Sequence, residues 1–306
     1  MAPRTVRFEA RDVFNLPLSE GFLVLDARGD DAYERAHLSG AWRLTPDLDE
    51  LLRIVDDENP PEQLSTVLVC AAPGDGDGVA RRLLEALGDG VLEAPDDAVH
   101  QPPDDAEDAF PSLRSRLARR LERMAFFEET EGFVESFPFL AVSGPEPLVE
   151  APPVLPALLV APTAETGALY LGSQTHALSG EGLEILRVGA IVNATEEVRF
   201  HEAPRARLRC PLRDDETCDL TDAFAASHAF LAEHRNQGVH CLVHCSRGRN
   251  RSAALAAHHL LRSGAVRTPA EAIAFLRECR PMSLQNENFV SQIAGGAHMI
   301  NECRVH

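Results

Sequence analysis

"VHCSRGRNRSAA", residues 243–254, places Cys245 six positions before Arg251, with Gly248 between them and Ser252 directly after. Arg247 and Arg249 crowd the same stretch. Upstream, "GVHCLVHC" (238–245) reads as a short buried strand, being a brief apolar run that opens at Gly238. Downstream, "RSAALAAHHLLRSG" (251–264) is a run of strong helix formers closed by Gly264. The stretch is therefore a glycine-containing loop between a strand and a helix N-terminus. Such a loop suits an anion, because its amides and those of the first helical turn converge, and the helix dipole favours negative charge there. The same field lowers the pKa of a cysteine at the loop start from about 8.5 to roughly 4–7. Cys245 is then expected to be a thiolate at neutral pH. The planar fork of Arg251 is placed to grip two phosphate oxygens, and Gly248 lets the backbone turn an amide inward.

The surrounding half of the chain reads as α/β. "ALYLGSQTHAL" (168–178), "VGAIVNATEE" (188–197) and "RLRCPLRDD" (207–215) each contain a β-type segment. "LTDAFAASHAFLAEHRNQG" (220–238) is helical, with Phe224, His228 and Leu231 on one face.

"HCSRGRNRS" fits the HCxxGxxRS signature of cysteine-dependent dual-specificity phosphatases. "LYLGS" (169–173) resembles that family's opening strand, and "VNATEE" (192–197) its Asn-containing strand. "RPMSLQNENFVSQI" (280–293) is similar to its closing segment, departing at Ser283 and Gln285, where the family often has Ile and Pro. The resemblance covers about residues 155–295. It implies that Cys245 attacks phosphorus to form a phosphocysteine, while Arg251 and the loop Ser246, Arg247, Gly248, Arg249 and Asn250 cradle the phosphoryl group. Ser252 then donates to the departing thiolate, and His244 orients the loop and supports the low thiol pKa. The general acid is expected in "CPLRDDETCDL" (210–220), where Asp214 takes the family position, Asp215 competes and Asp219 fills a second acidic position. No metal and no cofactor is required. The implied substrates are phosphotyrosine and phosphoserine or phosphothreonine on proteins. Two other readings stay open. Arg247 and Arg249 suit a more anionic substrate, such as a phosphoinositide, a phospholipid or an RNA 5′-phosphate, unless both simply face solvent. A phosphoprotein-binding scaffold of weak or no activity is the third.

The other half is also read as α/β. "GFLVLDARG" (21–29) and "STVLVCAAPGDGDG" (65–78) suit buried strands, the second running into a Gly-rich loop. "VARRLLEALGDG" (79–90) and "SLRSRLARRLERMAFF" (112–127) are expected helices, the latter from Leu113, Leu117 and Leu121 at i+4 spacing. "LDARGDDAYERAHLSGAWRL" (25–44) resembles the opening of a rhodanese domain at Asp26, Arg28, Tyr33, His37, Gly40 and Ala41, and "GFVESFPFL" (132–140) its close. An active rhodanese has its cysteine in a loop of inward amides beside a cation. Cys70 stands at the equivalent strand end, but its loop brings Asp75 and Asp77, which oppose a thiolate. The domain is therefore read as non-catalytic.

The expected organisation is an α/β rhodanese-like domain at 6–142, a Pro-rich linker at 143–156 and a phosphatase domain at 157–300, a central sheet flanked by helices. Within the first, 94–111 carries six acidic residues and no basic one, and reads as a solvated disordered insertion. Rhodanese-like then dual-specificity order resembles the MAP-kinase phosphatases and the serine/threonine/tyrosine-interacting pseudophosphatases. That implies a phosphorylated protein, such as a protein kinase, as partner. The stretch "TPDLDELLRIVDDENP" (45–60) is acidic where kinase docking uses a basic cluster, which argues against MAP-kinase docking. The pseudophosphatases lose the nucleophile, whereas this chain keeps Cys245, Arg251 and Asp214, which favours activity.

Charge sharpens the picture. Residues 1–150 hold 14 Arg against 32 Asp and Glu, a net of −18, and residues 151–306 hold 15 against 16, a net of −1, which together give the −19 of the whole chain. The acidic half should repel nucleic acid and anionic lipid, so no nucleic-acid partner is expected. All 29 basic residues are arginine, which reads as codon usage. Seven scattered cysteines give neither a disulfide framework nor zinc-ligand spacing. With no run of about 18 apolar residues and no apolar leader, membrane insertion is not expected and a cytoplasmic protein is, the nucleus remaining open.

Overall fold

The structure is a computed structural model and describes residues 4–16, 22–39, 41–44, 66–88, 123–144 and 155–302. The chain divides into two compact units, Met1–Ala151 and Pro152–His306. The acidic stretches 45–60 and 94–111, the start of the expected helix at 112–122, Gly40 and most of the Pro-rich segment lie outside the described residues. Ser143 and Gly144 bind back onto the first unit, through Arg35 O and Glu34 O.

In chain order the first unit contains β1 (Arg4–Arg7), α1 (Ala10–Phe14), β2 (Phe22–Asp26), α2 (Asp30–Arg35), β3 (His37–Leu38), β4 (Ala41–Arg43), β5 (Thr66–Cys70), α3 (Gly76–Gly88), β6 (Arg123–Phe127), α4 (Thr130–Ser136) and β7 (Ala141–Val142). Five strands form a parallel sheet in the order β1-β6-β5-β2-β4, and β3 pairs antiparallel with β7. Two expectations are corrected. Residues 123–127, read as the end of a helix, form β6, a central strand in register with Thr66–Cys70. Met124, Ala125 and Phe127 are buried between neighbours, as an inner strand paired on both edges requires. Helix α3 also starts at Gly76, inside the stretch read as a Gly-rich loop; the Gly76 N–H donates to Glu128 Oε1 at 2.9 Å.

The polar cluster after β2 is a packing knot. Asp26 and Arg28 form a buried bidentate pair, and Arg28 also donates to Ala36 O at 2.7 Å. The Tyr33 hydroxyl donates to Ala41 O at 2.7 Å, and its ring stacks on His37 at 3.7 Å. Cys70 is fully buried at the end of β5; burial, with Asp26 adding repulsion, pushes its thiol up to about 12.

The second unit contains β8 (Ala157–Val160), β9 (Leu169–Gly172), α5 (Gln174–Leu178), α6 (Gly180–Ile185), β10 (Val188–Asn193), β11 (Ala206–Arg209), α7 (Thr221–Arg235), β12 (His240–His244), α8 (Arg251–Ser263), α9 (Pro269–Cys279) and α10 (Glu287–Glu302). Its sheet runs β11-β10-β12-β9-β8, with β8 antiparallel to β9 and the other pairs parallel. The central strand is β12. Its residues Cys241–His244 are buried, as expected for a strand covered on both faces. Helix α8 follows it into the core, with every residue from Arg251 to Ala257 buried. Ala253, Ala254, Ala256 and Ala257 supply small faces against which α7, α9, α10 and the sheet pack. Gly264 caps α8 in the left-handed conformation at φ +77°. His244 pairs with Gly172 and with Asn193, so β9, β10 and β12 end side by side. In an open α/β sheet such an edge is where ligands bind.

Candidate active site

The loop from Cys245 to Asn250 leaves this sheet edge and enters α8. Gly248 turns it at φ +69°, a left-handed conformation that costs a residue with a Cβ about 1–2 kcal/mol. A Cβ there would also lie 2.5 Å from Gly172 O on β9. Glycine is thus required twice over. The turn aims the Gly248 N–H at Cys245 Sγ, 3.1 Å away, while the Ser252 hydroxyl donates to the same sulfur at 3.2 Å. Cys245 is 2 % exposed. Burial alone would raise its pKa, but hydrogen bonds from the Ser252 hydroxyl and from the amides of Ser252, Arg249 and Gly248 outweigh it and hold the thiol below its ordinary value.

The outside of the loop is clamped by other elements. Gln174 N–H donates to Ser246 O at 3.1 Å, and Leu284 N–H to Arg249 O at 2.9 Å. Arg280, just after α9, donates to Gly248 O at 2.8 Å and Arg247 O at 3.1 Å. With its carbonyls taken outside, the loop is free to turn amides inward.

Arg251 opens α8 and is itself buried, as few arginines are. One guanidinium nitrogen donates to Glu197 Oε1 and to Leu212 O, each at 3.1 Å. Its Nε is buried without a hydrogen-bond partner among the described residues. A buried unpaired donor is costly, and an anion in the loop would satisfy it. Glu197 is held in place by a saturated network. Asn193 at the end of β10 accepts from the amide and hydroxyl of Thr195 and donates to Val198 O at 2.7 Å. Arg209 then ties down Thr195 O and Glu196 O.

Of the two candidate acids, Asp214 reaches the loop. Asn250 Nδ2 donates to both its oxygens at 3.2 Å, and Asn286 Nδ2 donates to Oδ1 at 3.1 Å. Asp215 accepts from the Thr217 amide and hydroxyl at 2.9 Å and pairs with Arg213, which holds its carboxyl below the usual range. Asp219 accepts from the amide and hydroxyl of Thr221, two residues on, in a local turn before α7. The structure therefore brings together Cys245, Gly248, Asn250, Arg251, Ser252 and Asp214, and leaves Asp215 and Asp219 in local turns.

Residues 169–295 match the family model for the dual specificity phosphatase catalytic domain. Dual specificity phosphatase 28 of Homo sapiens is 34% identical over 145 residues, which cover 47% of this chain and 79% of that protein. The chain belongs to the dual-specificity phosphatase family. Protein phosphatase Slingshot homolog 3 of Homo sapiens is 32% identical over 126 residues, 41% of this chain and 19% of the relative. A crystal structure of human DUSP28 superposes with a TM-score of 0.42 at 30% identity, covering 44% of this chain and 94% of that one. The chain spans only 19% of Slingshot homolog 3 and 34% of human dual specificity protein phosphatase 1.

Within this phosphatase domain His244 ends β12, directly before Cys245. His244 is fully buried, and neither ring nitrogen has a hydrogen-bond partner of good geometry among the described residues. Burial pushes its pKa down to about 4, against an interaction with the Cys245 backbone and helped by nearby Arg209 and Arg251. It is neutral at pH 7 and lends the thiol no positive charge. Arg247 and Arg249 are exposed, and their side chains make no hydrogen bond or ion pair among the described residues. Among the described residues no group of three His, Cys, Asp or Glu could hold a metal ion. Cys70, Cys210, Cys218, Cys241 and Cys245 are not in disulfides, and no described helix is long and apolar enough to cross a membrane. Sequence reasoning missed Glu197, Arg280 and Asn286 as site residues. Each lies in a segment that resembled the family, but its partner is 32 to 72 positions away along the chain.

Proposed function

We propose that this protein hydrolyses phosphomonoesters, foremost phosphotyrosine and phosphoserine or phosphothreonine on proteins, through a phosphocysteine intermediate. The observation that carries this reading is the Cys245 sulfur, buried yet receiving the Gly248 amide and the Ser252 hydroxyl, with Arg251 directly after the same loop and its Nε unpaired among the described residues. The Cys245 thiolate attacks phosphorus, and the bond to the leaving oxygen breaks as that oxygen takes a proton from Asp214. Arg251 and the amides of Ser246 to Asn250 hold the equatorial oxygens as charge spreads over them. Water then attacks the phosphocysteine and gives its proton to Asp214. The S–P bond breaks, and the Ser252 hydroxyl supports the thiolate that returns.

Exposed, unpaired Arg247 and Arg249 favour one second reading, a substrate with a further anionic group beside the phosphate. We read residues 157–300 as the catalytic domain and 143–156 as the linker. Residues 6–142 are read as a non-catalytic rhodanese-like domain, on the parallel sheet and on a Cys70 thiol pushed far above neutrality. A phosphorylated protein is the proposed partner. Phosphate release from a small aryl phosphate between pH 5 and 8 tests the reading: Cys245→Ser abolishes turnover and Asp214→Asn lowers it strongly. Folded, reduced wild type without turnover would leave a phosphoprotein-binding scaffold.

A further inference from the structure

Asp214 sits in an exposed turn, where a carboxylate ordinarily samples many positions, and the proposed chemistry needs it fixed over the loop. Two side-chain amides supply the restraint. Asn250, the residue before Arg251, donates to both carboxylate oxygens, while its own Oδ1 accepts from Gln285 N–H at 2.9 Å and Asn286 N–H at 3.4 Å. Asn286 donates to Asp214 Oδ1 at 3.1 Å and to Asp215 O at 3.2 Å, while its Oδ1 accepts from the amides of Asn288 and Phe289 at the start of α10. Asn288 reinforces the same turn by donating to Cys218 O at 2.9 Å. The acid turn is thus tied to the phosphate loop by one amide and to α10 by another. Neither amide is free to swing, since each has its oxygen occupied by backbone.

We propose that Asn286 and Asn250 are positioning residues for the general acid, holding the Asp214 carboxyl over the leaving-group side of the Cys245 loop. This rests on the phosphatase reading above. Both donors point at carboxylate oxygens, not at Cys245 or Arg251, so the tether acts on leaving-group protonation and not on attack at phosphorus. Its effect therefore grows with the basicity of the leaving group, because a basic oxygen needs the proton and an acidic phenol does not.

The test compares wild type with Asn286→Ser and with Asn250→Ser. Serine is a good N-cap, so at position 286 it keeps an acceptor for the first amides of α10, yet it is too short to reach Asp214. Turnover is measured on phenyl phosphate, whose leaving group has a pKa of about 10, as for tyrosine, and on an aryl phosphate whose phenol is ionised at the assay pH. The ratio of kcat/KM on the first to kcat/KM on the second, which leaves out hydrolysis of the common phosphocysteine, should fall at least fivefold in each variant. In an Asp214→Asn background the same substitutions should leave the ratio unmoved, because there is no acid left to position. Equal losses on both substrates, or an unchanged ratio while Asp214→Asn lowers it, would overturn the proposal. If wild type shows no turnover, the phosphatase reading fails separately. The tether is then read from amide hydrogen exchange across residues 214–218, which Asn286→Ser accelerates if the restraint exists and leaves unchanged if it does not.

Discussion

Ser252→Ala isolates the bond that most directly tunes the nucleophile. Ser252 is fully buried on the first turn of α8, and alanine fits its place with the loss of one oxygen. The hydroxyl lies 3.2 Å from Cys245 Sγ and is the largest of the groups that pull the thiol pKa down against burial. A hydrogen bond to a charged group is worth about 1.5–3 kcal/mol. The bond to the neutral thiol is weak, so nearly all of that difference acts on ionisation. At about 1.4 kcal/mol per pKa unit, the Cys245 pKa should rise by roughly 1–2 units. Alkylation by iodoacetamide reads this directly, with the Cys245 peptide followed by mass spectrometry across pH 4–10 so that the other cysteines do not interfere. The midpoint of the rate profile should move up by that amount. A midpoint unchanged in a variant with wild-type thermal stability would refute the reasoning, since the thiolate would then be held by the loop amides alone.

Three further outcomes follow from the packing. Gly248→Ala meets both a positive φ and the Gly172 carbonyl oxygen. It should lower stability by at least about 1–2 kcal/mol in denaturant unfolding and slow Cys245 alkylation at neutral pH, as the loop shifts its amide off the sulfur. Asp26→Ala strands the buried Arg28 and should cost the first unit about 3–5 kcal/mol, followed by fluorescence of Trp42, the single tryptophan. Buried His176, His244 and His259 have pKa values lowered to about 4, 4 and 3, above all by burial. Their folded pKa values lie below that of the unfolded chain, so the stability of the neutral rings is complete above about pH 6.5 and is lost as pH falls toward 4, at up to about 1.4 kcal/mol per pH unit for each. Urea midpoints of the intact chain at pH 7, 6 and 5 should show that fall, and His259→Gln should flatten it.

Local pattern carried much of this architecture. The strand, glycine loop and helix around Cys245 could be placed from residues 238–264 alone, because a buried apolar run, a turn residue and a run of helix formers sit side by side. The β6 strand could not. Its Arg-Met-Ala-Phe-Phe follows a helical spacing of leucines, and only pairing with β5, more than fifty residues earlier, decides its state. The same holds for the site. Cys245, Arg251 and Ser252 are neighbours in sequence, and their meeting was legible. Nothing local shows that Glu197 would reach Arg251, or that Arg280 would grip Gly248 O and Arg247 O. Asp214 and Asp215 differ by one position; what separates them is the contact with Asn250 and Asn286 from distant segments. His244 stands directly before Cys245 in the sequence, but its complete burial, which lowers its pKa to about 4, is set by the sheet and not by its neighbours in the chain.

Phosphoryl transfer is expected to pass through Cys245. Rapid acid quench of Asp214→Asn turning over an activated aryl phosphate, with mass spectrometry of the peptide spanning the loop, tests it most directly. That substitution leaves attack on an acidic leaving group possible and slows hydrolysis of the intermediate. A phosphoryl group is expected on Cys245 and is lost when Cys245→Ser is added. Turnover that persists in Cys245→Ser, or a phosphoryl group found on another residue, would contradict it.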